Sequence, residues 1–333
     1  MGRDEALKLC EQPLDDRHYD PDLLLDKTGV IEAPTDDPDH PTVSICILLK
    51  NRIPRDLLDA VRPIVRKAAT HRKVAGGNRG AAAGTGMVKR RNRDGQLSNI
   101  MGAPNLEDLS DDDFKRLRSA TDGVVGFLSR DTRPGGQLYP CRLTRYDGAL
   151  PQELNLMGVL AKAVADVFKE SFVKDRWEAQ LAKAKQTAPT WLIRTDEGIT
   201  PFTTITCNRS FRTAAHVDKG DLKEGFGVMC CFGDFEGCDL VFPRYRAAVR
   251  YREGDVLLAD VHQVHGNTPL LYPDGSVPES GREPERLVCV FYYNEGMDTC
   301  ASTMAKERKR INETERGAVK EKVKAKAKGA GKK

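Results

Sequence analysis

The sequence predicts an α+β protein, with helices in its first part and short strands in its second. Apolar residues recur at helical spacing across residues 153–185, beginning with Leu154, Met157 and Leu160; this pattern is typical of a buried helix face. From about residue 190, short apolar runs alternate with turns that contain glycine, which indicates an all-β sandwich or barrel. The 333 residues suit one large domain with extensions.

Composition and texture divide the chain into four segments. We expect an acidic flexible lead-in, a helical and basic support region, a strand-rich core and a basic disordered tail; these are residues 1–40, 41–190, 191–300 and 301–333. Within the support region, residues 43–49 (VSICILL) predict a buried strand. Residues 54–69 predict a helix that Pro63 kinks or splits.

The net charge of +4 hides a strong segregation of charge. Residues 1–40 carry 12 acids against 4 bases, whereas residues 52–93 carry 12 bases against 2 acids and residues 301–333 carry 12 bases against 4 acids. Two separated basic blocks favour a polyanionic partner. The glycine-rich stretch 75–103 lacks the Gly-Lys-Ser/Thr of a nucleotide-hydrolysing loop, but such a loop can approach phosphates through its backbone N–H groups.

The sequence gives no sign of a membrane span or of export. No run of 18 apolar residues occurs, and the first residues lack the apolar core of a signal peptide. We therefore expect an intracellular protein. The nine cysteines include no CxxC pair, so neither a zinc site nor a disulfide framework is expected.

One set of residues in the strand-rich region has the composition of an iron site. His216 and Asp218 are two apart, so in a strand both side chains point to the same face. A second histidine follows, either His262 or His265, and Arg286 opens a later apolar run. Two histidines and one carboxylate form the facial triad of non-haem Fe(II) oxygenases, and an arginine can bind a dicarboxylate co-substrate through two hydrogen bonds.

These motifs resemble a known family. The stretches HVDKGDLKEGFG, GDVLLADVHQVHGNTP and RLVCVFYYNEG are similar to the catalytic core of the TET/JBP family of Fe(II)- and 2-oxoglutarate-dependent DNA pyrimidine dioxygenases, most of all to its bacteriophage 5-methylcytosine dioxygenases. The resemblance covers residues 195–297 well and extends loosely over residues 78–99. The lead-in and the tail lie outside it.

The resemblance implies a double-stranded β-helix, or jelly roll, for the catalytic core, with helices packed outside. It implies Fe(II) as cofactor, and 2-oxoglutarate and O2 as co-substrates. The target would be a methylated pyrimidine in DNA, flipped out of the duplex, and the glycine-rich loop of the support region would face that DNA. The chain would be a monomer, in the host cytoplasm if a phage encodes it and otherwise in the nucleus.

The resemblance also implies roles for individual residues. His216, Asp218 and His265 match the iron ligands, and His265 is preferred to His262 because His-Gly-Asn-Thr-Pro is the family-like context. Arg286 matches the residue that pairs with 2-oxoglutarate. The remaining candidates are Arg212 for the co-substrate, and Asp221 and Asn208 for the flipped base.

Base choice depends on Asp221. An ionised carboxylate only accepts hydrogen bonds, and cytosine offers an N4 amino donor where thymine presents the O4 acceptor. We therefore expect hydroxylation of 5-methylcytosine to 5-hydroxymethylcytosine. The alternatives are a thymine hydroxylase that gives 5-hydroxymethyluracil, a hydroxylase of a protein or small molecule, and a non-catalytic DNA-binding module of the same fold.

Overall fold

An eight-stranded sheet and a four-stranded sheet make up the body of the protein, and two long helices pack against the larger sheet. The structure is a computed structural model. It describes residues 1–35, 41–70, 89–91, 97–99, 121–129, 131–133, 137–139, 141–144, 147, 150–188, 190–279, 282–300 and 309. The helices are α1 Arg3–Leu7, α2 Arg55–Thr70, α3 Pro151–Lys169 and α4 Lys174–Thr187.

The strands are short and mostly antiparallel. In chain order they are β1 Leu24–Leu25, β2 Gly29–Pro34, β3 Thr42–Leu49, β4 Lys89–Arg91, β5 Leu97–Asn99, β6 Thr121–Leu128, β7 Asp131–Arg133, β8 Gln137–Tyr139, β9 Arg142–Leu143, β10 Arg194–Thr195, β11 Gly198–Ile199, β12 Thr204–Arg209, β13 Gly227–Phe232, β14 Glu236–Gly237, β15 Leu240–Phe242, β16 Ala247–Val249, β17 Val256–Ala259, β18 Gly266–Asn267, β19 Leu270–Leu271 and β20 Leu287–Tyr292. The large sheet has the order β2-β3-β17-β13-β20-β12-β6-β9, and the small sheet the order β1-β16-β15-β18.

Strand β20 shows how the large sheet separates two cores. Leu287, Cys289 and Phe291 belong to the apolar cluster that includes α2 and α3. Val288 belongs to the cluster that includes the small sheet, and Val290 packs against it. Because successive strand residues point to opposite faces, a strand with two buried faces is apolar throughout. The helices therefore cover one face, and the small sheet and the functional cavity lie on the other.

The helices follow the predicted apolar pattern with two differences. Helix α2 is one helix through Pro63, so the prediction of two pieces is wrong. The helical region predicted over 153–185 is two helices that meet between Lys169 and Lys174. Helix α3 buries Met157, among other residues of its apolar face, against the large sheet.

The acidic N-terminal segment is packed rather than a flexible lead-in over residues 1–35. Residues 1–25, which we call the N-terminal strap, bury Ala6, Leu14 and Tyr19 in a small apolar cluster. The strap ends in β1, which pairs with β16 of the small sheet. Its few apolar residues are spaced too irregularly to form a helical or strand pattern, which is why the sequence did not predict this packing.

A disulfide joins Cys141 to Cys300 across 159 residues of sequence. The expectation of no disulfide is therefore wrong, and the reason is physical: the two cysteines become neighbours only when the edge of the large sheet meets the 3-10 turn Glu295–Thr299. The glycine-rich stretch lies mostly outside the described residues, as does nearly all of the basic tail. Within the described part of the chain, no helix is long and apolar enough to cross a membrane.

Candidate active site

A cavity of about 270 Å³ opens between the two sheets. Alternate residues of β12 and β20 form its floor, among them Thr206, Asn208 and Tyr292. The segment that follows β12 and the turn before β18 form its rim, where four of the predicted site residues lie. The cavity is therefore built on rigid strands and closed by loops, the arrangement that functional sites commonly use.

His216, Asp218 and His265 come together at this cavity. Their ligand atoms all lie within 4.8 Å of one another. The Nε2 of His216 is 3.6 Å from Oδ1 of Asp218, and the Nε2 of His265 is 3.7 Å from Oδ2. Two imidazole nitrogens and one carboxylate on the same side of a cavity leave further coordination positions open. The donor set fits Fe(II).

Backbone carbonyl groups fix the two histidine rings in the form that binds metal. The Nδ1 of His216 lies 2.8 Å from the carbonyl oxygen of Ala214, and that of His265 lies 2.9 Å from the carbonyl oxygen of Gln263. A carbonyl only accepts, so each Nδ1 carries the proton and each Nε2 offers its lone pair to the cavity. Burial lowers the pKa of His265 and the neighbouring His216 lowers it further, so His265 stays neutral.

Two backbone contacts hold the segment that carries the first two ligands. The N-terminal strap pairs with Ala215, with Glu11 N–H donating to its carbonyl at 2.7 Å and Ala215 N–H donating to Gln12 at 2.8 Å. On the other side, Asp218 N–H donates to the carbonyl of Val261 at 3.0 Å. The ligand segment is thus fixed by chain elements on both sides.

Arg286 is a buried cation without an acidic partner. Its side chain is 3% exposed, its Nη2 donates to the Tyr251 hydroxyl, and its Nε has no hydrogen-bond partner. Among the residues that the structure describes, no carboxylate pairs with it. An unpaired buried charge is costly, and a ligand carboxylate would provide both the charge and the acceptor. Arg286 lines the same cavity as the triad, so it fits the far carboxylate of 2-oxoglutarate.

Asp221 and Asn208 both line the cavity. Asp221 is 8% exposed, and burial raises the pKa of its carboxyl well above the ordinary value, with Asp218 and Glu295 raising it further. The Oδ1 of Asn208 is buried and has no hydrogen-bond partner. These two polar groups are available to a ligand in the cavity.

Two other candidates are placed differently. The Arg212 guanidinium donates to the backbone carbonyls of Leu14 and Asn267, and it is not part of the lining of the cavity that holds the triad and Arg286. His262 does not join the triad either. Its Nε2 lies 3.1 Å from the carbonyl oxygen of Asp221, behind the cavity wall.

The sequence reasoning missed several lining residues. Tyr251, which holds Arg286, has no motif of its own. Thr206 and Tyr292 could have been found, because they share the side of their strands with Asn208 and with Val288 and Val290. Strand alternation alone places them on the cavity face.

The part of the chain that carries the triad and Arg286 matches a known protein-family model. Residues 130–295 match the model of the oxygenase domain of the 2OGFeDO superfamily, Tet_JBP. Over these residues the chain belongs to the TET/JBP oxygenase family. By family it is therefore an oxidoreductase of the 2-oxoglutarate- and Fe(II)-dependent dioxygenase class, and the triad fits the iron site that such a domain requires.

Curated relatives of the TET/JBP domain come from trypanosomatids. The chain is 36% identical over 172 residues to the bifunctional helicase and thymine dioxygenase JBP2 of Leishmania infantum, a match that covers 48% of this chain and 14% of the relative. It is 29% identical over 198 residues to the thymine dioxygenase JBP1 of Trypanosoma brucei brucei, covering 59% of this chain and 22% of that protein. These relatives do not support the expected likeness to bacteriophage enzymes. The chain spans only a small part of their length.

The fold of the TET/JBP domain also has a solved counterpart. NgTET1 in complex with 5mC DNA superposes with a TM-score of 0.50 at 12% sequence identity, covering 94% of this chain and 100% of the NgTET1 chain. At this identity the likeness concerns the fold alone. The predicted α+β fold with a double-stranded β-helix core is confirmed.

Proposed function

We propose that this chain hydroxylates the C5-methyl group of a pyrimidine base in DNA, using Fe(II), 2-oxoglutarate and O2. One observation carries the proposal: a single cavity holds the triad, an unpaired Arg286 and two polar groups, Asp221 and Asn208, that have capacity for a ligand. The triad fits the metal, Arg286 fits the co-substrate, and Asp221 and Asn208 suit the edge of a base.

Each group would have a separate role. When bound, Fe(II) would activate O2, which is the oxidant: one oxygen atom would enter a C–H bond and the other would enter succinate as 2-oxoglutarate is oxidised with loss of CO2. Arg286 orients the co-substrate by pairing with its far carboxylate. Asp221 and Asn208 orient the base so that its methyl group faces the triad, and orientation of this kind is a large part of catalysis. Because the cavity lies between two sheets, the base must leave the duplex to enter it.

The first candidate base is 5-methylcytosine. Its N4 amino group can donate to a carboxylate, whereas thymine places the O4 acceptor at that position. Two unfilled acceptors, the Asp221 carboxylate and the Asn208 Oδ1, are available for such a donor. The expected product is 5-hydroxymethylcytosine.

The second candidate base is thymine, for two specific reasons. The curated relatives are thymine dioxygenases. In addition, burial raises the pKa of Asp221, and a protonated carboxyl can donate to O4 of thymine. In that case the product is 5-hydroxymethyluracil.

The test is mass spectrometry of nucleosides after the Fe(II)-loaded chain acts on two matched DNA duplexes, one C5-methylated at cytosine and one unmodified. 5-Hydroxymethylcytosine from the methylated duplex supports the first candidate. 5-Hydroxymethyluracil from both, with methylcytosine untouched, selects the second. If neither product forms, and neither DNA stimulates 2-oxoglutarate consumption, the proposed function is wrong. The matched control is Asp218→Ala, which lacks the carboxylate ligand.

We further propose that the basic block 301–333 contacts the DNA backbone. The block 52–93 was expected to do the same, but its described cations on α2 lie on the sheet face opposite the cavity and pair with carboxylates such as Glu253 and Glu285. Phosphate contacts strengthen binding without reading sequence, and they make affinity depend on salt. Deleting residues 306–333 should lower DNA affinity and flatten its salt dependence while leaving the product base unchanged. A deletion that changes the product base would contradict this division of roles.

A further inference from the structure

His262 makes an unusual contact behind the cavity wall. Its Nε2 lies 3.1 Å from the backbone carbonyl oxygen of Asp221, 41 residues away in sequence. A carbonyl only accepts, so Nε2 carries the proton and donates it. The imidazole is half-buried, and its backbone N–H donates to Asp260 Oδ1 at 3.1 Å. His262 is therefore held by its own turn and directed at the peptide group of Asp221.

The segment around Asp221 is held mainly by backbone groups, and the Glu295 carboxylate also accepts from the N–H of Lys223 at 3.2 Å. Glu295 N–H donates to the carbonyl of Gly220 at 2.9 Å, and Leu222 N–H donates to the carbonyl of Tyr293 at 3.1 Å. The carbonyl of Asp221 belongs to the same peptide group as the Leu222 N–H, and it accepts from the His262 side chain. This peptide is thus held at its N–H by Tyr293 and at its carbonyl by His262, so the residue at position 262 is one of the two groups that fix its orientation.

The turn that carries His262 is itself well ordered by side chains. Gln263 donates through Nε2 to Asp260 Oδ2 at 2.9 Å, and the Tyr245 hydroxyl donates to Gln263 Oε1 at 2.8 Å. These bonds tie the turn to the 3-10 turn Pro243–Tyr245 beside the small sheet. Such support gives His262 a fixed position from which to act on Asp221.

We propose that His262 is a positioning residue that acts through Asp221 to place the base for hydroxylation. The inference rests on the proposed function and adds a residue to it. The carboxyl of Asp221 is attached to the Cα next to the held peptide, so a rotation of that peptide moves the carboxyl within the cavity. A displacement of about 1 Å at a positioning group can cost about a hundredfold in rate.

The experiment compares three variants of the full chain on DNA that carries the base that the wild type hydroxylates. His262→Phe keeps a ring but removes the donor, and His262→Gln keeps a side-chain N–H donor. Tyr272→Phe is the matched control, because it removes one exposed side-chain hydrogen bond, to the carbonyl of Arg282, outside the cavity lining. The readouts are kcat and KM for the DNA, the binding of Fe(II) and 2-oxoglutarate by absorbance, and the thermal unfolding midpoint.

We expect His262→Phe to lower kcat/KM for the DNA about tenfold to a hundredfold, with metal and co-substrate binding unchanged. His262→Gln should recover most of the loss, and Tyr272→Phe should match the wild type. In an Asp221→Ala background, His262→Phe should have no further effect, because the two residues act as a unit.

Four results would overturn the inference. They are a His262→Phe chain as active as the wild type, a His262→Gln chain as poor as His262→Phe, an equal loss in the Asp221→Ala background, and a loss of metal binding in His262→Phe. A wild type that forms neither hydroxymethyl base overturns the proposed function and this inference with it, so the two failures can be told apart.

Discussion

The backbones of His216 and His265 hydrogen-bond each other. The N–H of His216 donates to the carbonyl of His265 at 2.8 Å, and the N–H of His265 donates to the carbonyl of His216 at 3.0 Å. Their ring centroids are 4.3 Å apart. These two hydrogen bonds form an isolated antiparallel bridge, and neither of the two residues that they join is part of a longer strand. The spacing of His216 and His265 is therefore set by the main chain.

Loss of a triad side chain should remove the metal without unfolding the chain. We expect His216→Ala and Asp218→Ala to lose turnover by at least about a hundredfold, because an inner ligand fixes the geometry of the open positions. Titration with Fe(II) or Co(II), together with circular dichroism, measures binding and fold. His18→Ala, on the strap, is the control histidine. Retained metal binding in His265→Ala, with loss in His262→Ala, would reverse the ligand assignment.

Truncation of Arg286 should act on the co-substrate. We expect Arg286→Ala to weaken the apparent affinity for 2-oxoglutarate by about 2–5 kcal/mol, the range for removing one partner of a buried charge pair. The affinity is measured by titrating 2-oxoglutarate into the Fe(II)-loaded chain. Arg282→Ala is the control, since Arg282 precedes the same strand and is exposed. An unchanged affinity in Arg286→Ala would remove this residue from the site.

Asp221→Ala should reduce the hydroxymethyl product while Fe(II) still binds. A hydrogen bond to a charged group contributes about 1.5–3 kcal/mol, so a tenfold to hundredfold loss is expected. Nucleoside mass spectrometry and a metal titration measure the two effects. Asp196→Ala, at an exposed turn, is the matched control. Product at the wild-type level would show that Asp221 does not meet the base.

Asp147 should make stability depend on pH. Burial raises its pKa from 3.8 to about 6, although the Thr144 hydroxyl and Gly126 N–H oppose this. Because the folded pKa is the higher one, the carboxyl stabilises the fold below pH 3.8 and this contribution is lost as pH rises through about 6. The free energy of unfolding therefore falls by about 3 kcal/mol, at 1.36 kcal/mol for each pH unit between the two pKa values.

Denaturant unfolding of the wild type and of Asp147→Asn, at pH 3.5 and at pH 7, measures this effect. Asn stays neutral at both values, so the wild type should lose stability relative to the variant as pH rises. A difference between the two chains that does not change with pH would contradict the prediction.

The disulfide should stabilise the fold against unfolding. It closes a loop of 159 residues, and cross-links of this kind contribute about 2–4 kcal/mol. We expect the Cys141→Ser chain to have a lower unfolding midpoint than the wild type, and this midpoint should not change when reductant is added. Cys10→Ser, at a free cysteine of the strap, should leave the response to reductant intact. If reductant has no effect on the wild type, the bond does not contribute to stability.

The residues that could be predicted from sequence are those whose pattern is local. Strand β13 coincides with one of the short apolar runs that follow residue 190, because both of its faces are buried and its residues are apolar throughout. His216 and Asp218 could be paired because strand geometry places residues two apart on one side. His265 needed its motif as well, since distance along the chain does not show that two segments form a bridge.

The contacts that could not be predicted are those between distant residues without a motif. The choice between His262 and His265 depends on where the turn after β17 directs each ring; residue types and spacing left both open, and only the family-like context favoured His265. The pairing of Cys141 with Cys300 depends on the edge of the large sheet. The N-terminal strap is mostly acidic, and its packing depends on a few apolar side chains that make no periodic pattern.

The strap also determines when during folding the iron site can form. Leu14 accepts a hydrogen bond from Arg212, 198 residues later in the chain, and the residues beside it pair with Ala215, which precedes the first ligand. Contacts so far apart in sequence form slowly, because the loop between them must close first. A ribosome would release the strap long before its docking surface exists, leaving Leu14 and Tyr19 exposed in the interval. Metal-binding competence should therefore appear among the last events of folding, and proteolytic cleavage within the strap should release the ligand segment while the sheets remain folded.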